Sequence, residues 1–344
     1  MALTQVTAPL LASTTGSGTT VVLSTSPTIT TPTISGSLTA SSSGITFSDS
    51  SVQTAAASPY VLKNRIINGA MVIDQRNAGA SVSNFDGKFI TDRFAGTTYR
   101  SSATAQQVSD APTGYNYSLK FTNDSTGGSP TGGNTLAFAQ SIEGYNTADL
   151  LIGTSGAKTV TLSFWVKSST TGTFGVGFCN YGATTYYNST RSYVATYTIS
   201  AANTWEQKTI TLTLDLSGSW STTTGVGLSI VFDLGSGSNY NTTAGSWAAG
   251  AYIRTSSCVQ LGAIASSTWQ LSGVQLEIGS SATPFERRLY NQELANCQRY
   301  YTTSFDIGVA PANTSTGGIY TSSTCIYVGY VVLHSMVATP LGLI

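Results

Sequence analysis

Ten short β-prone runs are separated in this chain by turn-forming residues, and several of them alternate apolar and polar side chains with a period of two. One run places Val160, Leu162, Phe164 and Val166 on one face, and another does the same with Ile210, Leu212 and Leu214. Successive side chains of a strand point to opposite faces, so a run of this kind buries one face only as part of a sheet. The candidate strands cover residues 65–74, 88–94, 117–122, 135–142, 159–167, 173–178, 192–199, 206–214, 226–232 and 269–278. Between them lie turn signals such as Asp86-Gly87, Thr131-Gly132-Gly133 and Gly235-Ser236-Gly237. Many short strands with Gly-rich turns point to an antiparallel sandwich or jelly roll, not to an α/β fold. A helix is expected only near residues 290–301, with Leu289, Leu294, Cys297 and Tyr301 roughly on one face.

Charge is scarce. Only 9% of the 344 residues are charged and the formal net charge is zero, against about 25% charged residues in ordinary domains. Scattered basic residues on a neutral chain give no electrostatic footprint for nucleic acid or an anionic membrane. No segment reaches the roughly 18 apolar residues needed to span a bilayer, so membrane insertion is not expected. The opening MALTQVTAPLLAS lacks a basic stretch, so no secretory signal is expected. Cys179, Cys258, Cys297 and Cys325 lie far apart, without metal-ligand spacing. Their even number permits two disulfides, and buried free thiols are the plainer alternative.

Residues 1–62 differ from the rest. Asp49 is their only charged side chain, and short β-prone runs alternate with Ser, Gly and Pro. They have too little apolar bulk for a core of their own. They read either as a disordered linker or as an extended fibrous stalk in which identical chains supply one another's missing face. The strand-like spacing of Thr and Ile favours the stalk.

Catalytic constellations are poor. The single histidine, His334, lies in an apolar run with no Gly-x-Ser-x-Gly elbow. Glycoside hydrolysis needs two suitably spaced carboxylates, and Glu143, Asp149, Asp215, Asp233 and Glu277 are candidates. Gly-rich phrases lack a following Lys and read as turns, not phosphate loops. No catalytic residue, metal ligand or cofactor is expected.

Aromatics carry the better signal, with 18 tyrosines. Flat rings stack on the apolar faces of sugars, while Asn, Gln and Thr hydrogen-bond hydroxyls without any charge. Tyr181, Tyr186, Tyr187, Arg191 and Tyr193 crowd one expected loop, and Trp220, Tyr240 and Trp247 lie in Ser/Thr/Gly-rich segments. These eight are the candidate glycan contacts; the alternative is that they fill the sandwich or a protomer interface. Trp165, Trp205 and Trp269 sit in strand candidates and are assigned to packing.

One stretch concentrates several of these signals: Gly-Val-Gln-Leu-Glu-x-Gly from Gly273, Ala-Thr-Pro-Phe-Glu-Arg-Arg from Ala282, then Cys-Gln-Arg-Tyr-Tyr from Cys297. Together with Asn68-Gly69 and Asp74-Gln75-Arg76, then Thr91-Asp92-Arg93-Phe94, Leu162-Ser163-Phe164-Trp165-Val166-Lys167 and Thr204-Trp205-Glu206-Gln207-Lys208, it resembles a β-sandwich module of bacteriophage tail fibres and other virion structural proteins. The match spans residues 63 to 301, and its fold is similar to the jelly rolls of carbohydrate-binding modules. Some of those hold a structural Ca²⁺ with an acidic residue near the first strand; here Ala70 follows Asn68-Gly69. The resemblance implies an all-β protein in three parts: a virion-anchoring stalk over 1–62, a jelly-roll sandwich over 63–285, and a helix plus β segment over 286–344 that contacts other protomers. It implies a homotrimer, other phage tail or virion proteins and a host-surface glycan as partners, and a place on the virion. The expected role is adhesion without catalysis. A capsid or tail decoration or adaptor protein is the alternative, and a polysaccharide depolymerase a further one. The charged groups Asp92-Arg93 and Glu286-Arg287-Arg288 are expected to form structural ion pairs, and Glu277 to brace the last strand against Arg287 or Arg288.

Overall fold

The alternating runs become the inner faces of two antiparallel sheets. The structure is a computed structural model and describes residues 45–46, 52–53 and 63–302. The chain divides into two units, Met1–Pro59 and Tyr60–Ile344. In the first, β1 (Ile45–Thr46) pairs antiparallel with β2 (Val52–Gln53). The remaining expectations for the stalk lie outside the described residues, as do His334, Cys325 and the β segment foreseen after residue 301.

In the second unit the strands are β3 (Val82–Ser83), β4 (Lys88–Thr91), β5 (Phe94–Thr98), β6 (Thr104–Val108), β7 (Ser118–Thr122), β8 (Leu136–Glu143), β9 (Thr159–Ser168), β10 (Gly172–Cys179), β11 (Arg191–Ile199), β12 (Glu206–Thr213), β13 (Val226–Asp233), β14 (Trp247–Ala249) and β15 (Thr268–Ile278). One helix, α1 (Tyr290–Gln298), follows. A seven-stranded sheet runs in the order β14-β11-β10-β13-β8-β5-β4, and a six-stranded sheet in the order β12-β9-β15-β7-β6-β3. This is an all-β sandwich of the jelly-roll kind.

Between the sheets, Val160, Leu162, Phe164 and Val166 of β9 meet Phe138 of β8, Phe174 and Phe178 of β10 and Phe232 of β13. Each such side chain contributes about 1.5–3 kcal/mol by leaving water. Trp269 of β15 stacks on Phe138 at 6.0 Å with an interplanar angle of 5°. Its indole N–H donates to the Tyr197 hydroxyl at 3.2 Å, so the polar edge of the ring is satisfied where water cannot reach it.

Two strand expectations need correction. Residues 65–74 form no strand, because Asn68 and Met71 take left-handed φ of 60° and 57°. Asn68 tolerates that conformation and fixes it with its side chain: Nδ2 donates to the carbonyls of Ile73 (2.8 Å) and Asp92 (2.9 Å), and Oδ1 accepts the Ile73 N–H. The segment still borders β15, through Arg65 N–H to Leu276 O and Val274 N–H to Gly69 O, both 2.9 Å. A Cβ on Gly69 would stand 2.1 Å from the Val274 carbonyl oxygen, so only glycine allows this approach. The second correction is at 88–94, which divides into β4 and β5 at Asp92-Arg93, where Arg93 has φ 74°.

The seven-stranded sheet is covered on its outer side as well. Its outward residues are small, among them Ala95, Ala137 and Ala139, and Tyr186, Tyr240 and Ile253 form a second apolar layer over them. A Cβ on Gly175 would lie 2.5 Å from Ile253 O, and one on Gly177 2.6 Å from Ile253 Cγ2. The glycines therefore let Ile253 and Arg254 lie directly on the sheet, so that residues 237–258, apart from the edge strand β14 within them, form a strap across it. Buried Arg254 anchors the strap: Nη2 donates to Cys258 O at 2.7 Å, Nη1 donates to Ser236 O, and Nε lies 3.4 Å from Asp233.

Cys179, Cys258 and Cys297 are free and buried, which is the thiol reading for these three. Among the described residues no helix is long and apolar enough to cross a membrane.

Candidate ligand-contact site

The eight aromatic-loop candidates separate into two groups. Tyr186 and Tyr240 belong to the strap layer and are buried, at 0% and 8% exposure. Their hydroxyls are used internally, Tyr186 with Thr97 Oγ1 at 2.9 Å and Tyr240 donating to Gly133 O at 3.1 Å. Both are corrected from glycan contacts to packing residues, because the small outward side chains of the sheet draw their rings inward. Tyr181 and Tyr187 remain exposed beside them, at 44% and 45%.

Arg191, Tyr193, Trp220 and Trp247 form the other group, at the edge of the sandwich. Tyr193 and Trp247 sit opposite each other across the β11–β14 pair, with ring centroids 5.4 Å apart. Trp220 meets Trp247 edge-on at 5.5 Å. Both indole N–H groups are spent, Trp220 on Ser217 O and Trp247 on Thr213 O, each at 2.9 Å. The second bond ties β14 to the residue that ends β12, so it links the two sheets. Arg191 holds Asp215 with Nε at 2.6 Å and Nη2 at 2.8 Å. The result is a half-buried aromatic wall whose ring orientations are fixed beside a bidentate ion pair.

The carboxylates considered for hydrolysis all have structural partners. Asp149 takes Arg65, Asp215 takes Arg191, Glu143 takes Arg299, and Asp233 faces Arg254. Glu277 accepts from Gln275 Nε2 (2.8 Å), Thr283 N (2.9 Å) and Thr283 Oγ1 (2.6 Å). It braces the chain after β15 through Thr283, not through Arg287 or Arg288.

Of the three tryptophans assigned to packing, Trp269 is in the core and the other two are half-buried. Trp165 lies beside Tyr115 at the β15 bulge, since both rings crowd the space a Cβ on Gly273 would occupy. Trp205 lies under Lys167, whose ammonium is 5.1 Å from the ring centroid.

The scarce charges from the far ends of the module converge on one place. Arg288 donates to Ile66 O at 3.1 Å and to Asn64 O, and it lies 3.3 Å from Glu293 and 3.7 Å from Glu286. Glu293 accepts the backbone N–H of Asn68. The face of α1 that docks is therefore Glu293 and Cys297, both buried, while Leu289 is 74% exposed. This corrects the expected apolar face: a carboxylate with two cationic or N–H partners holds the helix there.

Beyond α1, Arg299 grips Glu143 of β8 at 2.9 and 2.7 Å, and the Tyr300 hydroxyl donates to the same carboxylate at 2.7 Å. The Arg93 guanidinium lies 3.4 Å from the Tyr300 ring centroid, and that of Arg76 3.5 Å from Tyr301 and 4.8 Å from Phe89. Asp92 does not pair with Arg93; it accepts from Gln75, whose Nε2 also donates to Tyr301 O at 3.0 Å. A cavity of about 240 Å³ opens among these side chains. Burial pushes the Asp92 carboxyl above its ordinary range, opposed by the Gln75 bonds, and it pushes the Cys297 thiol up as well. Sequence reasoning placed no ligand here. The available signal was the concentration of rare charges in phrases 200 residues apart.

Arg299, with Tyr300, holds the Glu143 carboxyl below its usual range against the opposing effect of burial. The folded state thus binds this proton more weakly than the unfolded chain. The contribution is complete above about pH 4.3 and is lost as the pH falls through the lower folded value. Acidification below about pH 4 is expected to release residues 299–301 before the sandwich unfolds, seen as faster amide exchange there. Glu143→Gln should show that fast exchange already at neutral pH. Equal protection in wild type and variant would remove Glu143 from this role.

No family model matches the sequence, and no curated protein does either. Among solved structures, the enzymatically active domain of tailspike protein 4 from bacteriophage CBA120 is 15% identical with a TM-score of 0.32, over 58% of this chain and 21% of that one. The family 11 carbohydrate-binding module from Clostridium thermocellum, in complex with a β-1,3-1,4-mixed-linked tetrasaccharide, is 12% identical with a TM-score of 0.30, over 59% of this chain and 96% of that one. A CBM22-1 xylan-binding domain from Paenibacillus barcinonensis is 13% identical with a TM-score of 0.26, over 60% of this chain and 99% of that one. This chain thus spans about a fifth of the tailspike domain it resembles.

Proposed function

We propose that this protein is a structural component of a phage virion, a tail fibre or related appendage that adheres to host-surface glycan without cleaving it. The carrying observation is the aromatic wall of Tyr193, Trp220 and Trp247 at the sandwich edge. Its indole N–H groups are satisfied internally, so what it offers outward is fixed ring surface, the part that stacks on a sugar. The occupied carboxylates favour holding over hydrolysis, since a general acid and base must be free to exchange protons with substrate. In this reading residues 1–62 anchor the protein and form a stalk, residues 63–285 present the sandwich, and residues 286–344 contact the other chains of a homotrimer. Several weak contacts repeated over three chains then multiply into avidity.

The test is binding of the labelled, full-length protein to host cells with and without periodate oxidation of surface sugars. Periodate should abolish binding, and Trp220→Ala and Trp247→Ala should each weaken it at least tenfold while the sandwich stays folded. Unchanged binding in both variants would make the wall a purely structural closure. A folded protein that binds no permissive host would favour the decoration or adaptor role.

A further inference from the structure

We propose that the cavity at the β4–β5 turn is a binding site for a carboxylate group, and, resting on the adhesion reading for its source, that the carboxylate belongs to an acidic sugar of the host glycan. Arg76 is the main donor. A guanidinium carries five N–H donors in a planar fork, and among the described residues none of those on Arg76 has a hydrogen-bond acceptor. Its face lies over Tyr301 and Phe89, so the edge of the fork remains for a ligand. That edge matches a planar carboxylate through two parallel bonds.

Arg93 supplies a second, independent reason. It lines the same cavity and brings a second guanidinium charge to it, held in place by the Nη2 bond to Ser141 O and by the Tyr300 ring, whose centroid is 3.4 Å from its guanidinium carbon.

The charge balance agrees. Two guanidiniums and one carboxylate line the space, and the Asp74 carboxylate that also acts on Arg76 has both oxygens held by the backbone N–H groups of Asn77 and Gly79. Asp92 already spends both oxygens on Gln75. The neighbouring Glu143 is neutralised by Arg299. The cavity, at about 240 Å³, suits a single sugar residue. Tyr300 and Tyr301 follow the docked helix directly, so the site exists only when α1 is in place.

The experiment is ligand-observed NMR on the full-length protein with three probes: methyl glucuronide, its neutral counterpart methyl glucoside, and inorganic phosphate. The glucuronide should bind at least tenfold tighter than both others. Arg76→Gln should reduce its binding at least tenfold with an unchanged melting temperature; Arg93→Gln should do the same if it folds. Equal binding of glucoside, equal binding of phosphate, or an unaffected Arg76→Gln variant would each overturn the proposal. Periodate-sensitive cell binding with no glucuronide binding would sink only this site. Glucuronide binding without any cell binding would leave the site standing and sink the adhesion reading.

Discussion

Arg254→Met is expected to destabilise the second unit by about 3–5 kcal/mol, the range for removing one partner of a buried ion pair. Arg254 and Asp233 are 1% and 0% exposed, with Nε and Oδ2 3.4 Å apart. Without the guanidinium, the Asp233 carboxylate keeps neutral donors alone, the backbone N–H groups of Gly235 (3.1 Å) and Ser236 (2.8 Å) and the Ser236 hydroxyl. The Cys258 carbonyl also loses its Arg254 donor, and that of Ser236 keeps only the longer bond from Gln260 Nε2 at 3.3 Å. Methionine fills much of the volume, so the loss reflects charge and hydrogen bonding more than a cavity.

The variant's pH dependence separates these causes. Burial pushes the Asp233 carboxyl up, while the Arg254 charge opposes it; removing Arg254 should push it further. A carboxyl whose folded value exceeds its unfolded one stabilises the fold below the unfolded value, and that contribution is lost as the pH rises through the folded value. The deficit of Arg254→Met should therefore be larger at pH 7 than near pH 4, and Arg254→Met/Asp233→Asn should recover part of it at pH 7. Urea denaturation measures the loss, and amide exchange over residues 237–258 shows whether the strap opens first. A deficit under about 1 kcal/mol would mean that the pair does not anchor the strap.

Trp269→Ala should cost about 3–5 kcal/mol, the usual range for truncating a buried large aromatic. Trp269 is 0% exposed and touches Phe138 and Phe232, at 6.0 and 5.9 Å between centroids. It therefore joins β15 of the six-stranded sheet to β8 and β13 of the other. Trp269→Phe keeps a ring between the sheets but deprives the Tyr197 hydroxyl of its indole N–H partner, so a smaller loss of about 1–3 kcal/mol is expected. Thermal denaturation of both variants should rank Ala well below Phe. Equal losses in the two variants would mean that the hydrogen bond, which both remove, outweighs the packing at this position.

The strands were legible wherever alternation was strong. Residues 159–167 and 206–214 became β9 and β12 almost to the residue, because a half-buried strand writes its period directly into the sequence. β6 and β14 carried too little pattern: Thr104–Val108 mixes Ala with Gln, and Trp247–Ala249 is three residues long. Residues 65–74 misled because Ile66, Ile67, Met71 and Ile73 look strand-like, while the decisive feature is the left-handed backbone that the Asn68 side chain secures.

The candidate site was legible only in its parts. Tyr186 and Tyr187 are neighbours in the chain with the same side chain, yet one is buried and the other 45% exposed. Nothing local to the loop distinguishes them, since the layer of small residues that receives Tyr186 comes from β5, β8 and β13. The sequence by itself determined an all-β chain with one short helix, its inner faces and its scarcity of charge, because strand pleat and composition are local properties. Only the tertiary structure decided which aromatics stay open, that a strap closes one sheet, and that Gln75 meets Tyr301 across 226 positions. Those outcomes depend on contacts between segments remote in sequence, where close approach and the pairing of rare charges select one arrangement.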